Sequence, residues 1–251
     1  MGRPTKSLSY LLAEVLVRPV MAAVTHGDWR GGENLPVGAG FVVAVNHISH
    51  ADPFTVAHYL VNQGVVPRFL GKAGVFEIPV LGSLLRRAGQ IPVYRESSHA
   101  SRAYAAAVDA VRSGEAVVIY PEGTLTSDPD LWPMRGKSGA ARIAHETGCL
   151  VVPVAQWGSQ DLLSPYRKVP RLLPRAWVTV AAGPPVRLTW PSEAAPAAAQ
   201  AAAVDAATED IMAAMTMLLQ EIRGGTPPAR RWDPAEHGDP VTGNPAGRWR
   251  R

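Results

Sequence analysis

Short runs in this chain are apolar at nearly every position, and they alternate with helical stretches that stop at a glycine. Residues 40–45 (GFVVAV), 116–120 (AVVIY) and 150–155 (LVVPVA) are the clearest such runs, and 90–93 and 176–182 share the pattern less sharply. A strand with one wet face alternates apolar and polar residues. A strand apolar on both faces belongs to a sheet covered on both sides. This alternation therefore limits the chain to layered α/β architectures.

The intervening segments carry helical spacing and stop signals. Residues 53–63 precede Gly64, 79–88 precede Gly89, 101–113 precede Gly114 and 137–147 precede Gly148. Glycine accepts the left-handed backbone that closes a helix. The spacing predicts an α/β fold: a single domain with a largely parallel sheet flanked by helices. A long alanine-rich helix over 197–223 carries Val204, Ile211, Met215, Leu218 and Ile222 on one stripe and ends at Gly224 and Gly225. A chain of 251 residues buries roughly 70–75% of its unfolded surface, so it needs no metal or disulfide to hold a core. Its one cysteine, Cys149, excludes an intrachain disulfide and reads as a small core residue.

The ends differ in character from the middle. Residues 1–27 form an N-terminal amphipathic helical segment, in which Leu8, Leu11, Leu12, Val15 and Leu16 follow helical spacing. Glu14, Arg18 and Pro19 interrupt it, so it falls short of the ~20 apolar residues of a membrane span. It reads either as a helix packed on its own domain or as one lying on a bilayer surface. Residues 28–225 form the α/β domain. Residues 226–251, rich in Pro, Gly and Arg, read as a disordered basic tail, solvated or touching anionic lipid. The net charge of +4 suits anionic partners without selecting among them.

The strongest candidate site is Asn46-His47-Ile48-Ser49-His50-Ala51-Asp52-Pro53, directly after a predicted strand. Five helical steps turn the chain about 140° past its start, so His47 and Asp52 do not share a helix face. In a strand-to-helix turn they can meet. Asp52 could then fix the imidazole tautomer and leave the other nitrogen free as a base, with a substrate hydroxyl as the attacker. The competing readings are Asp52 as an N-cap ahead of Pro53 and His47 as a core histidine. Arg95 stands just past the strand ending at Val93, where ligands of open α/β sheets gather, and could clamp a phosphate. Tyr120-Pro121-Glu122-Gly123-Thr124-Leu125 follows another buried strand. Gly123 allows close approach to a ligand, and Glu122 could orient a basic residue or hold a substrate hydroxyl, or could simply sit exposed in a turn. Arg135 and Lys137 place two cations near a helix start, a favourable place for phosphate.

Taken in order, these segments resemble the four sequence blocks of the glycerolipid acyltransferases, and specifically the bacterial 1-acylglycerol-3-phosphate acyltransferases. The first block is Asn46-His47 followed, after four residues, by Asp52. The second is Ile91-Pro92-Val93-Tyr94-Arg95, approached by Phe76-Glu77-Ile78-Pro79-Val80-Leu81-Gly82. The third is Pro121-Glu122-Gly123-Thr124, and the fourth is the strand around Pro153. The resemblance spans about residues 34–185.

The resemblance implies acyl transfer from acyl-CoA or an acyl carrier protein to the hydroxyl of lysophosphatidic acid, giving phosphatidic acid. His47 would be the base and Asp52 its support. Arg95, Glu122, Gly123 and Thr124 would bind the glycerol-phosphate end, and no cofactor or metal is implied. The family usually carries arginine after the threonine of the third block, where this chain has Leu125. Arg135 or Lys137 could supply that charge, or the acceptor could be another lysophospholipid. A lipid thioesterase and a non-catalytic lipid binder are the other classes. The missing Gly-x-Ser-x-Gly turn counts against a serine hydrolase. Insoluble substrates imply a membrane surface as partner, with peripheral attachment to the cytoplasmic face through residues 8–24 and cations such as Arg86 and Arg87. Nucleic-acid binding has only the mild basic excess in its favour.

Overall fold

The computed structural model describes residues 8–94, 97–167 and 169–240. Seven strands form one sheet: β1 (Thr25–Arg30), β2 (Phe41–Val45), β3 (Pro67–Lys72), β4 (Ile91–Val93), β5 (Ala116–Ile119), β6 (Val151–Trp157) and β7 (Ala176–Ala182), in the order β1-β7-β6-β2-β5-β3-β4. Strands β2 to β6 run parallel, while β7 is antiparallel to β6 and parallel to β1. The largely parallel α/β sheet expected from the apolar runs is the one observed.

The central strands β6, β2 and β5 explain why those runs are apolar throughout. Val43 is level with Val118 and Val152, and these three pack with Met21 of α1 (Leu8–Val24) and with Val56, Tyr59 and Leu60 of α2 (Asp52–Asn62). Val42, Val117 and Val151 point the other way. They pack with Ala103, Ala107 and Val108 of α5 (Ser97–Arg112), Ile143 of α6 (Gly139–Thr147) and Ile211 of α8 (Ala197–Arg223). Each valine so enclosed contributes about 1.5–3 kcal/mol relative to exposure. The short helices α3 (Ala73–Phe76), α4 (Leu81–Arg87) and α7 (Ser159–Leu162) lie in the connections.

Two strands, β1 and β3, were not expected. β1 (THGDWR) closes one edge of the sheet, and β3 (PRFLGK) lies one strand in from the other, so each is only partly buried. The half-exposed residues tolerate charge and lose the periodicity that marks a central strand. Helix α1 also runs unbroken through Pro19. Val15 and Pro19 both lie on the exposed side, so the carbonyl that loses its N–H partner can be hydrated. α1 packs on its own domain through Tyr10 and Met21, while Leu11, Val15 and Val20 face outward. Among the described residues no helix is long and apolar enough to cross a membrane.

The described part of the C-terminal segment departs from the disordered tail expected there. Through residue 240 it lies on the domain: the Arg135 amide donates to Trp232 O at 3.0 Å, Arg231 pairs with Glu209 of α8, and Trp232 stacks on His237. Tryptophan area and paired arginines supply a docking energy that the low-complexity pattern hides. The remaining arginines, Arg248, Arg250 and Arg251, lie outside the described residues.

Candidate active site

Because β6, β2 and β5 are parallel neighbours, their carboxyl ends deliver three loops to one edge of the sheet. The loop after β2 carries His47 and Asp52, that after β5 carries Glu122, and that after β6 carries Ser159. Asn46 joins two of these ends. Its Oδ1 accepts from the Gln156 amide at 2.8 Å and its Nδ2 donates to Gln156 O at 3.1 Å.

His47 and Asp52 meet. Nδ1 of His47 lies 2.8 Å from Oδ2 of Asp52. The same oxygen accepts the amides of Ile48 and Ser49 at 2.7 and 2.9 Å, and Oδ1 accepts the Ser159 hydroxyl at 2.6 Å. The carboxylate of Asp52 is fully buried. It turns back to the loop amides rather than forward to the helix, so it does not act as the N-cap of α2. An oxygen already accepting two amide protons acts as an acceptor toward the imidazole as well. That places the proton of neutral His47 on Nδ1 and leaves Nε2 with a free lone pair.

The His47 ring is fixed on a second side by Tyr120, stacked at 4.1 Å between centroids and 23° between planes. Among the described residues the buried Tyr120 hydroxyl has no hydrogen-bond partner, and burial pushes its ionisation well above the ordinary phenol range. It remains a neutral, flat wall for the imidazole.

Glu122 is placed differently from the sequence expectation. It is buried, with Oε1 accepting the His47 amide and Oε2 accepting the Met134 amide, each at 2.9 Å. Both oxygens accept from main chain, so Glu122 clamps the histidine loop to the 125–137 segment. Burial raises its carboxyl to about 8, against the pull of the two amides. The Thr126 amide adds a further tie to His47 O at 2.8 Å.

The structure brings Gly123 and Lys137 together. A side chain on Gly123, which has φ 71°, would stand 2.7 Å from Lys137 Nζ, so the ammonium lies over the bare glycine. Thr124 is partly exposed beside them. Arg135 does not join this group; it is exposed and pairs with Asp233 at 3.0 Å. Leu125, at the position of the family's usual arginine, is buried. Arg95 lies outside the described residues. The His50 and Tyr166 rings stand perpendicular, 6.4 Å apart, and among the described residues no three His, Cys, Asp or Glu side chains form a group that could hold a metal.

Sequence reasoning missed Ser159, because the strand around Pro153 was followed only to Gly158. A Gly-Ser step after a buried strand was the available signal. Gly158 takes φ 101°, and a Cβ there would stand 1.8 Å from Trp177 O, so only glycine permits the turn that leads into Ser159.

The site is thus an oriented histidine–aspartate pair at the carboxyl edge of a mostly parallel α/β sheet, where ligands of such sheets gather. The acyltransferase family model matches residues 28–157, just over half of the chain. The chain belongs to that family. It is 34% identical over 138 residues to a chloroplastic 1-acyl-sn-glycerol-3-phosphate acyltransferase, BAT2, of Brassica napus, covering 54% of this chain and 38% of that protein. It is 33% identical over 139 residues to the 1-acyl-sn-glycerol-3-phosphate acyltransferase of Bacillus subtilis, covering 54% of this chain and 65% of that protein. The matches thus span less than two thirds of either relative. The crystal structure of the 1-acyl-sn-glycerophosphate (LPA) acyltransferase PlsC from Thermotoga maritima superposes with a TM-score of 0.64 at 20% identity, over 87% of this chain and 81% of that one, a likeness of fold.

Proposed function

We propose that this chain transfers a fatty acyl group from an acyl thioester to the free hydroxyl of 1-acylglycerol 3-phosphate, giving phosphatidic acid. The observation that carries this reading is the His47 imidazole held through Nδ1 by an Asp52 that three further protein groups fix in place, which leaves Nε2 to take a proton. As the acceptor oxygen attacks the thioester carbonyl carbon, its proton passes to Nε2. The tetrahedral intermediate collapses, the carbon–sulfur bond breaks, and the imidazolium returns the proton to the departing thiolate. No nucleophilic side chain is needed. Lys137 above Gly123 is the described cation that supports phosphate binding, with Arg95 as a second. Arg135, paired with Asp233, would have to leave that partner to take part.

The names of the relatives support the glycerol-phosphate acceptor. The buried Leu125, standing where the family usually has arginine, favours testing lysophospholipids with larger head groups beside it. The donor is CoA-bound or carrier-protein-bound acyl, and the setting is the cytoplasmic face of the cell membrane, held peripherally. The test is transfer of radiolabelled acyl groups from each donor to lysophosphatidic acid, by the natural protein and by His47→Ala. Label in phosphatidic acid with the natural protein and a loss of at least about 10³-fold in the variant is the expected outcome. Label released as free fatty acid would indicate a thioesterase, and equal rates would remove His47 from the mechanism.

A further inference from the structure

The segment between α7 and β7 has an unusual make-up. From residue 162 to 192 there is no Asp or Glu, and 167–175 (RKVPRLLPR) interleaves cations with apolar residues. The apolar side chains are not buried: Val169 is 79% exposed, Leu172 50% and Leu173 78%. Arg167 and Arg171 beside them are exposed as well.

The loop is held at both ends. At its start Ser49 Oγ donates to Leu163 O at 2.5 Å and the Tyr166 hydroxyl donates to Leu125 O at 3.2 Å. Both partners belong to the loops of the candidate active site. At its end Arg175 Nη2 donates to Ala22 O and Thr25 O, each at 2.6 Å, fastening it to the last turn of α1 and the start of β1. Trp177, 72% exposed, follows as the second residue of β7. β7 runs antiparallel to β6, so this whole segment projects from the edge of the sheet that carries His47.

We propose that loop 163–175 docks the protein on an anionic lipid bilayer, a proposal that rests on the reading of this site as acting on a lipid acceptor. Exposed aliphatic side chains gain by entering the headgroup boundary, and interleaved arginines reach lipid phosphates while their stems stay in the apolar layer. A protein partner fits less well. About seven tip residues fall far short of the roughly 20–30 residues per side of a stable protein interface. Docking by this loop presents His47 to the layer in which an acyl-glycerol phosphate resides.

The experiment is flotation of the full chain with vesicles of phosphatidylcholine alone and of phosphatidylcholine with phosphatidylglycerol. The natural protein is expected to float with the anionic vesicles and to lose binding at high salt. Leu172→Asp with Leu173→Asp should lower that binding about tenfold or more, with thermal unfolding unchanged. Arg167→Glu with Arg171→Glu should abolish the preference for anionic vesicles. Leu150→Asp, exposed ahead of β6 at the opposite edge, should float like the natural protein. Absence of flotation by the natural protein, or equal flotation by both loop variants, would overturn the docking surface. Acyl transfer to a dispersed short-chain lysophosphatidic acid reports separately on the proposed reaction. A chain that floats through this loop but transfers nothing keeps the docking surface and loses the reaction.

Discussion

Asp52 uses both carboxylate oxygens on the protein itself: two loop amides, one serine and one imidazole. Asp52→Asn replaces one accepting oxygen by a donor, which must face either the Ser159 hydroxyl or the side that the two amides and the imidazole share. Either way the imidazolium that forms on His47 loses its carboxylate, and acyl transfer should fall by about 10²–10⁴-fold with the fold intact, measured as kcat alongside circular dichroism. Glu122 gives a pH prediction. Its carboxyl is raised from 4.5 to about 8, so the folded protein holds this proton more tightly than the unfolded chain. The stability it contributes is complete below pH 4.5 and lost as pH rises to about 8. The difference in Tm between the natural protein and Glu122→Gln should therefore decline from pH 5 to about 8 and level off above that. A difference that grows over this range would contradict the assignment. At this scale the sequence displayed the residue types and the His47–Asp52 spacing. It did not display that Glu122 holds a backbone, because its partners lie 75 and 12 residues away.

Strand β3 shows what holds a weakly patterned element in a sheet. Arg68, its second residue, donates from Nε to Glu115 Oε2 at 2.8 Å, with a parallel bond from Nη2 to Oε1, and also reaches Ala88 O. Glu115 immediately precedes β5, the strand beside β3. Both side chains are mostly shielded, at 12% and 19% exposure, so this two-point pair counts for more than an open surface bridge. Glu115→Ala leaves the mostly shielded guanidinium without its carboxylate, and should cost about 2–3 kcal/mol in urea unfolding. A cost under ~0.5 kcal/mol would mean that the pair acts as a surface bridge. The same contact explains why β3 escaped sequence reading. Arginine and lysine in a six-residue run look like a loop until the partner from another element is known.

Over the whole molecule, the C-terminal segment ties α8 to the loop that supplies the Met134 amide to Glu122. Arg223 of α8 lies between the rings of Trp132 and Trp157, 4.3 and 4.1 Å from their centroids, and donates to Asp130 O at 2.6 Å. The 226–240 segment then adds the Arg135–Trp232 bond and exposed ion pairs. The Arg223 clamp is part of the domain, whereas the exposed pairs beyond it are screened by solvent and add little. Truncation after Gly225 should leave a folded domain with Tm lowered by a few degrees. Unfolding on truncation would show that the segment belongs to the core.

The sequence by itself determined the layered α/β class, the central strands, the long final helix and the histidine–aspartate corner. Each follows from local information, since burial on two faces writes continuous apolar runs and helix ends write glycines. Only the tertiary structure decided that β1 and β3 are strands, that Ser159 supports Asp52, that Arg135 turns away to Asp233 and that the chain from 226 to 240 lies on the domain. These are properties of pairs of residues far apart in the chain. A hydrogen bond across 107 residues leaves no periodicity for either partner's neighbours to reveal.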